Sequence, residues 1–156
     1  MQDAELIAAL NADLCREYEI AAHYLYHVYS ATGQESAACL EALRARVAAE
    51  MAHADQLARL IVALGGRPTL RSPRPAGGDA LADLLARGLA LEEALIAGYE
   101  ERCRQAAEDP ALRAVLARML DEERRHAAEI EALLPSRGDL ASAAPPAELP
   151  PLTAVA

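Results

Sequence analysis

A duplicated pattern of glutamate, tyrosine and histidine constrains the fold of this chain more than any other feature. Each half contains a lone Glu, a Tyr seven residues after it, and then a Glu-x-x-His motif that starts 33 or 31 residues after the lone Glu. The residues are Glu17, Tyr24, Glu50 and His53 in the first half, and Glu92, Tyr99, Glu123 and His126 in the second. Glu and His three residues apart project from one face of a helix. The set predicts four helices that build a two-metal site inside a four-helix bundle.

Apolar residues recur at alternating spacings of three and four in four stretches of the chain, and this periodicity predicts four helices. The predicted helices span residues 3–31, 36–64, 79–107 and 110–134. Gly65-Gly66 is a typical helix stop, and Asp109-Pro110 is a typical helix start. Thr32 to Glu35 predicts a capping box for the second helix.

The one long connection lies between helices 2 and 3, where residues 67–78 hold three prolines and two glycines. A connection of this length predicts a crossover that takes the chain from one end of the bundle to the other. The predicted fold class is therefore all-α, with residues 1–135 forming the bundle. Residues 136–156 are rich in Ala and Pro, and we expect an extended or disordered tail there.

Composition excludes several classes of partner. The net charge of −9 argues against binding to nucleic acid or to an anionic membrane. The sequence has no apolar run near 18 residues, and its opening MQDAEL does not look like a signal peptide. The three cysteines are odd in number and lack metal-type spacing, which is typical of reduced thiols. We expect a cytoplasmic protein with neither a membrane nor a nucleic-acid partner.

The four glutamates of the pattern lie near the middle of the predicted apolar stripes, not on polar faces. Burying an ionised carboxylate without a partner costs several kcal/mol, and four together repel one another strongly. No Lys or Arg interrupts the predicted stripes, so we expect two divalent cations to neutralise the carboxylates. Carboxylates with some imidazole suit iron or manganese. The predicted metal ligands are Glu17, Glu50, His53, Glu92, Glu123 and His126.

Neighbouring residues compete with some of these ligands, and the helical stripe decides between them. Glu92 shares a face with apolar residues, whereas Glu93 does not. Glu122 is not the Glu of the second Glu-x-x-His motif, but it is a candidate acceptor for an imidazole N–H. His23 and His27 fall off the main stripe, so we leave them out of the predicted site.

The two tyrosines of the pattern are expected to be core residues whose hydroxyl groups need a hydrogen-bond partner. A ligand carboxylate is a ready partner in each case. Tyr24 is in addition a candidate for a redox role, and we assign it as the candidate catalytic residue.

With these motifs in place, the sequence resembles the ferritin-like superfamily, and bacterioferritin most closely, over roughly residues 6–134. Four segments resemble the metal-binding parts of the family's four helices. They are Leu10-Asn11 with Glu17, Tyr24 and His27, Glu50 to Asp55, Leu89 to Glu92, and Asp121 to His126.

The resemblance implies a ferroxidase-type di-iron centre with two irons per chain, which would oxidise Fe(II) with dioxygen or peroxide. It implies that Glu17 and Glu92 are terminal ligands and that Glu50 and Glu123 bridge the metals. Each His would complete one metal. Manganese in place of iron is the alternative cofactor.

The resemblance also bears on assembly. Met51 matches the position that ligates haem b between two bacterioferritin subunits, although an outward methionine equally suits interface packing. A homodimer or a larger homo-oligomer is implied. The Pro-rich tail stands in place of the family's short fifth helix, which puts a storage cage in question. Ala49 precedes Glu50 where a polar acceptor for an imidazole is expected.

Three other functions remain open at this point. The first is a peroxide-reducing di-iron or di-manganese enzyme with the same fold. The second belongs to a different class: an iron-storage or cargo protein in a larger assembly, whose mildly apolar tail end docks on a partner or shell. The third is a metal-free helical interaction module.

Overall fold

The described part of the chain in the computed structural model consists of residues 2–30, 36–72 and 80–134, and there it forms four helices and no strand. The helices are α1 (Gln2–Ser30), α2 (Ala37–Ala63), α3 (Leu81–Gln105) and α4 (Pro110–Leu133). Each boundary lies within two residues of its predicted position, so the all-α prediction is confirmed.

Short side chains accept hydrogen bonds at the start of two helices. The Ser36 hydroxyl accepts from the backbone N–H of Cys39 at 3.1 Å, and the Asp109 carboxylate accepts from that of Leu112 at 3.0 Å. Pro110 follows in the first turn, where its missing N–H costs nothing. The start predicted at Asp109 is confirmed. For α2 the capping residue is Ser36, and the capping box predicted at residues 32–35 lies outside the described residues.

The glycine pair after α2 ends that helix as predicted. Gly65 has φ of +81°, in the left-handed region that favours glycine. The N–H of Gly66 donates to the carbonyl of Ile61 at 2.8 Å, and that of Gly65 to the carbonyl of Val62 at 2.9 Å. This pair of bonds is a Schellman motif, which satisfies carbonyls that the helix itself leaves open.

Contacts between helices fix their directions. Asn11, near the start of α1, donates to the carbonyl of Arg67, just beyond α2, at 3.1 Å, so α1 and α2 are antiparallel. His23, late in α1, meets the carbonyl of Leu84, early in α3, at 2.8 Å, so α1 and α3 are also antiparallel. Helices α2 and α3 therefore run in the same direction, and the connection between them starts at one end of the bundle and finishes at the other. This is the topology of the predicted crossover, of which residues 73–78 lie outside the described residues.

The core runs through the middle of the bundle and draws on all four helices. Leu10, Leu57, Leu95 and Leu116, one from each helix, have no exposed surface. Full burial of such a side chain contributes about 1.5–3 kcal/mol. Within the described residues, no helix combines the length and the apolar character needed to cross a membrane. The predicted tail, and with it the boundary at residue 135, lies outside the described residues and stays a prediction.

Candidate metal centre

The structure brings all six predicted ligand side chains together at the centre of the bundle. The four glutamates have no exposed surface, and His53 and His126 are also buried. A ligand atom from each of Glu50, His53, Glu123 and His126 lies within 4.8 Å of the others. This is the only such group of metal-ligating side chains among the described residues. Glu17 and Glu92 approach it from α1 and α3.

The two imidazoles turn the same ring nitrogen toward the carboxylates. Nδ1 of His126 lies 3.0 Å from Oε1 of Glu50 and 3.2 Å from Oε2 of Glu123. Nδ1 of His53 lies against Oε1 of Glu123 and 3.9 Å from Oε2 of Glu50. The two rings stack at a centroid distance of 5.5 Å with 20° between their planes. Glu50 and Glu123 therefore lie between the two imidazoles.

The tyrosines of the duplicated pattern make crossed hydrogen bonds between the two halves. Tyr24 of α1 donates to Oε1 of Glu92 on α3 at 3.0 Å, and Tyr99 of α3 donates to Oε1 of Glu17 on α1. Both tyrosines are buried. Tyr99 thus holds the same geometric position as Tyr24. The duplication could have indicated this, although only Tyr24 was predicted to be catalytic.

Burial and mutual contact set the charges of the metal-free cluster. Burial raises the pKa of Glu92 to about 10, and the neighbouring charge of Glu50 adds to the shift. Burial, with the charges of Glu123 and Glu50, raises the pKa of Glu17 well above its usual range. Glu92 is therefore a neutral carboxyl group at pH 7, and burial likewise disfavours ionisation of Glu17.

The other four groups, which interact with one another through hydrogen bonds and charge, are Glu50, His53, Glu123 and His126. Burial alone would lower the pKa of His53, but hydrogen bonds with Glu123 and Glu50 outweigh it and raise the pKa to about 11. The same balance raises the pKa of His126. Burial alone would raise the pKa of Glu123, but hydrogen bonds from His126 and His53 hold it at about 2, and they also lower the pKa of Glu50. The His53 imidazolium and the Glu123 carboxylate therefore form a charged pair, so a proton supplies positive charge where sequence reasoning had considered only metal ions.

The donor atoms of the cluster fit metal ions. Most buried carboxylate oxygens find a hydrogen-bond donor, but several here make no hydrogen bond of regular geometry, and neither does Nδ1 of His53, although it lies against Glu123. The oxygens are Glu17 Oε2, Glu50 Oε1 and Oε2, Glu92 Oε2 and Glu123 Oε1. Once the groups lose their protons, this set of converging carboxylate oxygens and imidazole nitrogens suits divalent iron or manganese.

Glu122 lies just outside this group and contacts it as predicted. Its Oε2 lies 2.7 Å from Nε2 of His53, the ring nitrogen that points away from the carboxylates. A carboxylate in this position fixes the orientation of an imidazole ligand.

One sequence-based statement about buried charge is wrong. Arg46 lies on the buried face of α2, one turn before Glu50, and is 7 % exposed, so a cation does interrupt that stripe. It pairs with Glu129 of α4. His23 and His27 are also buried, although neither joins the metal cluster. Helix α1 packs against both α2 and α3, so its buried face is wider than one stripe.

Met51 points outward from α2, as its position one residue after Glu50 predicted, and is 47 % exposed. Exposure suits either a haem ligand or an interface residue, and the haem assignment stays a prediction.

Comparison with known proteins adds the family. The Ferritin family model, described as a ferritin-like domain, matches residues 7–136. The chain belongs to this ferritin-like family. No match was found among curated proteins.

Solved structures similar to this ferritin-like chain include a ferritin-like, diiron-carboxylate protein from Bacillus anthracis. It has 29 % sequence identity and a TM-score of 0.82, with 86 % of this chain and 99 % of that chain covered. The bacterioferritin of Rhodobacter capsulatus, described with a metal-free dinuclear site and a heme iron, has 25 % identity and a TM-score of 0.77, with 84 % of each chain covered. The bacterioferritin of Desulfovibrio desulfuricans has 24 % identity and a TM-score of 0.78, with 85 % of this chain and 79 % of that chain covered, and this likeness shows the fold.

Proposed function

We propose that this ferritin-like protein is a ferroxidase-type oxidoreductase that oxidises Fe(II) with dioxygen or peroxide at a site for two irons. The convergence of four buried carboxylates and two imidazoles, with oxygens that make no hydrogen bond, carries this proposal. The printed description of one similar structure as a diiron-carboxylate protein supports iron as the metal.

The geometry suggests a role for each ligand. Glu50 and Glu123 lie between the two imidazoles, which supports the proposal that they would be the ligands shared by two metals. Glu17 and Glu92 would be terminal ligands, each oriented by the tyrosine that donates to it. His53 and His126 would each complete one metal through Nδ1.

Two irons held together would supply two electrons to one oxidant, which converts dioxygen to peroxide or peroxide to water as both irons become ferric. The protein's part is to hold the carboxylates in place and to keep bulk water away from them. Tyr24 remains the candidate for a redox role. Its phenol is buried against Glu92, and burial, together with that neighbouring carboxyl group, keeps its pKa far above the usual range, so it is a neutral phenol.

Assembly and location stay part of the proposal. Exposed apolar side chains on α1 and α2, namely Tyr26, Tyr29 and Met51, favour a homodimer or larger homo-oligomer along these helices. Haem b at Met51 is retained as a candidate cofactor of such a dimer. Cys15 and Cys103 form no disulfide bond, which fits a cytoplasmic location.

The first test is metal content per chain, measured by elemental analysis before and after anaerobic loading with Fe(II). We expect about two irons per chain and rapid growth of ferric absorbance when oxygen is admitted. Glu92→Ala and His126→Ala should each lower the loading. Glu93→Ala changes the exposed neighbour on α3 and serves as the matched control.

Full loading of the Glu92→Ala and His126→Ala variants would refute the site assignment. Negligible loading of the wild type would refute the catalytic proposal as a whole. Two manganese ions that iron does not displace would favour the peroxide-reducing alternative.

A further inference from the structure

The two imidazoles of the metal centre are supported differently on the side that faces away from the carboxylates. Nε2 of His53 lies 2.7 Å from Oε2 of Glu122. Every polar contact of His126 with another described residue runs through Nδ1, to Glu50 and Glu123. The outer nitrogen of His126 thus has no acceptor within the described residues.

The duplicated pattern explains this difference. Glu122 is the residue directly before Glu123, and the matching residue in the first half is the one directly before Glu50. That residue is Ala49. A methyl group cannot accept a hydrogen bond, so the position that would serve His126 by symmetry has lost this capacity.

A rival acceptor for His126 is Glu129, one turn further along α4. Its carboxylate is paired with the guanidinium of Arg46, a side chain that is almost fully buried. Removing that carboxylate from Arg46 would leave a buried cation unpaired. Glu129 is therefore committed to a different partner.

The consequence for metal binding follows from what such an acceptor does. A carboxylate on the outer nitrogen fixes the tautomer and the ring orientation of an imidazole ligand and raises its basicity, and its loss typically lowers metal affinity about 10–100-fold. His53 has this support, and His126 lacks it. His126 is also the more exposed of the two, at 7 % against 1 %.

We infer that the two metal positions are inequivalent: the position completed by His53 binds its ion tightly, and the position completed by His126 binds more weakly. The weaker position fills second and empties first. This inference rests on the proposed two-metal function and deepens it, because it names the position through which an ion is exchanged.

The test is an anaerobic titration with Co(II), an ion that does not react with the site and reports binding by its visible absorbance and by calorimetry. The wild type should bind two Co(II) per chain in two steps whose affinities differ by about tenfold or more. Ala49→Glu supplies the missing carboxylate and should strengthen the weaker step about 10–100-fold. Glu122→Ala should weaken the tighter step by a similar factor, so that both variants bring the two affinities together.

The matched control is Ala52→Glu, which adds the same charge to α2 at an exposed position. It should leave the separation of the two steps unchanged, which separates ligand support from general electrostatic attraction. Circular dichroism confirms that each variant is folded. If Ala49→Glu does not fold, Ala49→Asp and Glu122→Ala carry the test.

Equal affinities in the wild type would overturn the inference and leave the two-metal function standing. The same holds if Ala49→Glu behaves like Ala52→Glu. Binding of fewer than two Co(II) ions by the wild type would instead count against the proposed function itself.

Discussion

Filling the metal centre with two divalent ions at pH 7 is expected to release at least two protons per chain, because metal ligands must be deprotonated. The pKa of Glu92 is about 10 and that of His53 about 11, so both groups hold a proton at pH 7 in the metal-free protein. The pKa values of Glu17 and His126 are also raised, which can only add to the number of protons released. Glu50 and Glu123 are already ionised and contribute none.

The sign and size of the pH dependence follow from this count. Each released proton changes the binding free energy by about 1.4 kcal/mol per pH unit, so two protons change it by about 2.7 kcal/mol per pH unit for the pair of ions. Affinity should rise with pH across the neutral range. The rise should end as the pH passes about 10–11, where Glu92 and His53 lose their protons without metal.

Isothermal titration calorimetry with Co(II) in three buffers of different ionisation enthalpy measures the protons released. Glu92→Gln cannot give up its proton and should release about one fewer than the wild type. A release of fewer than two protons by the wild type would refute the reasoning, because it would mean that His53 or Glu92 is already deprotonated in the metal-free centre.

Three further predictions concern the free energy of unfolding, measured by urea denaturation of the metal-free protein. Gly88→Ala should cost about 1–3 kcal/mol, because a Cβ there would lie 2.6 Å from the tyrosine ring packed against it. Leu57→Ala should cost about 2–5 kcal/mol, because Leu57 is fully buried in the core. Val62→Ala changes an exposed side chain and should cost less than about 0.5 kcal/mol. Similar costs for the two variants would contradict the described core. Glu129→Ala should cost about 1–2 kcal/mol, because it leaves the buried Arg46 without its carboxylate partner. Arg46→Met removes the buried charge itself and should cost less. The reverse order of the two costs would refute the pairing.

The helices and the ligand set could be predicted from the sequence because both depend on local spacing. Ser36, Gly65 and Asp109 mark helix ends through their own backbone and side-chain chemistry. The i, i+3 spacing places Glu50 and His53 on one face wherever the helix lies. The two halves of the duplicated pattern then meet because the apolar faces of the four helices pack together.

The remaining features depend on contacts between helices, which spacing does not record. No cation was expected on the buried face of α2. The burial of Arg46 there depends on Glu129, which lies 83 residues away in the sequence. Likewise, Glu122 could be predicted as an acceptor for an imidazole, but its choice of His53 follows from how α4 faces α2. The raised pKa values of Glu17 and Glu92 depend on burial and on the distances between carboxylates, which the sequence does not give.

The crossed tyrosine bonds have a consequence for how metal binding and folding relate. Tyr24 on α1 donates to Glu92 on α3, and Tyr99 on α3 donates to Glu17 on α1. These hydrogen bonds link the two halves of the bundle without a metal ion. The centre is thus preorganised: its ligands are already gathered before an ion arrives. In small zinc domains the metal drives folding of an otherwise unfolded chain. For the proposed two-metal function, a chelator is therefore expected to remove the ions and leave the bundle folded.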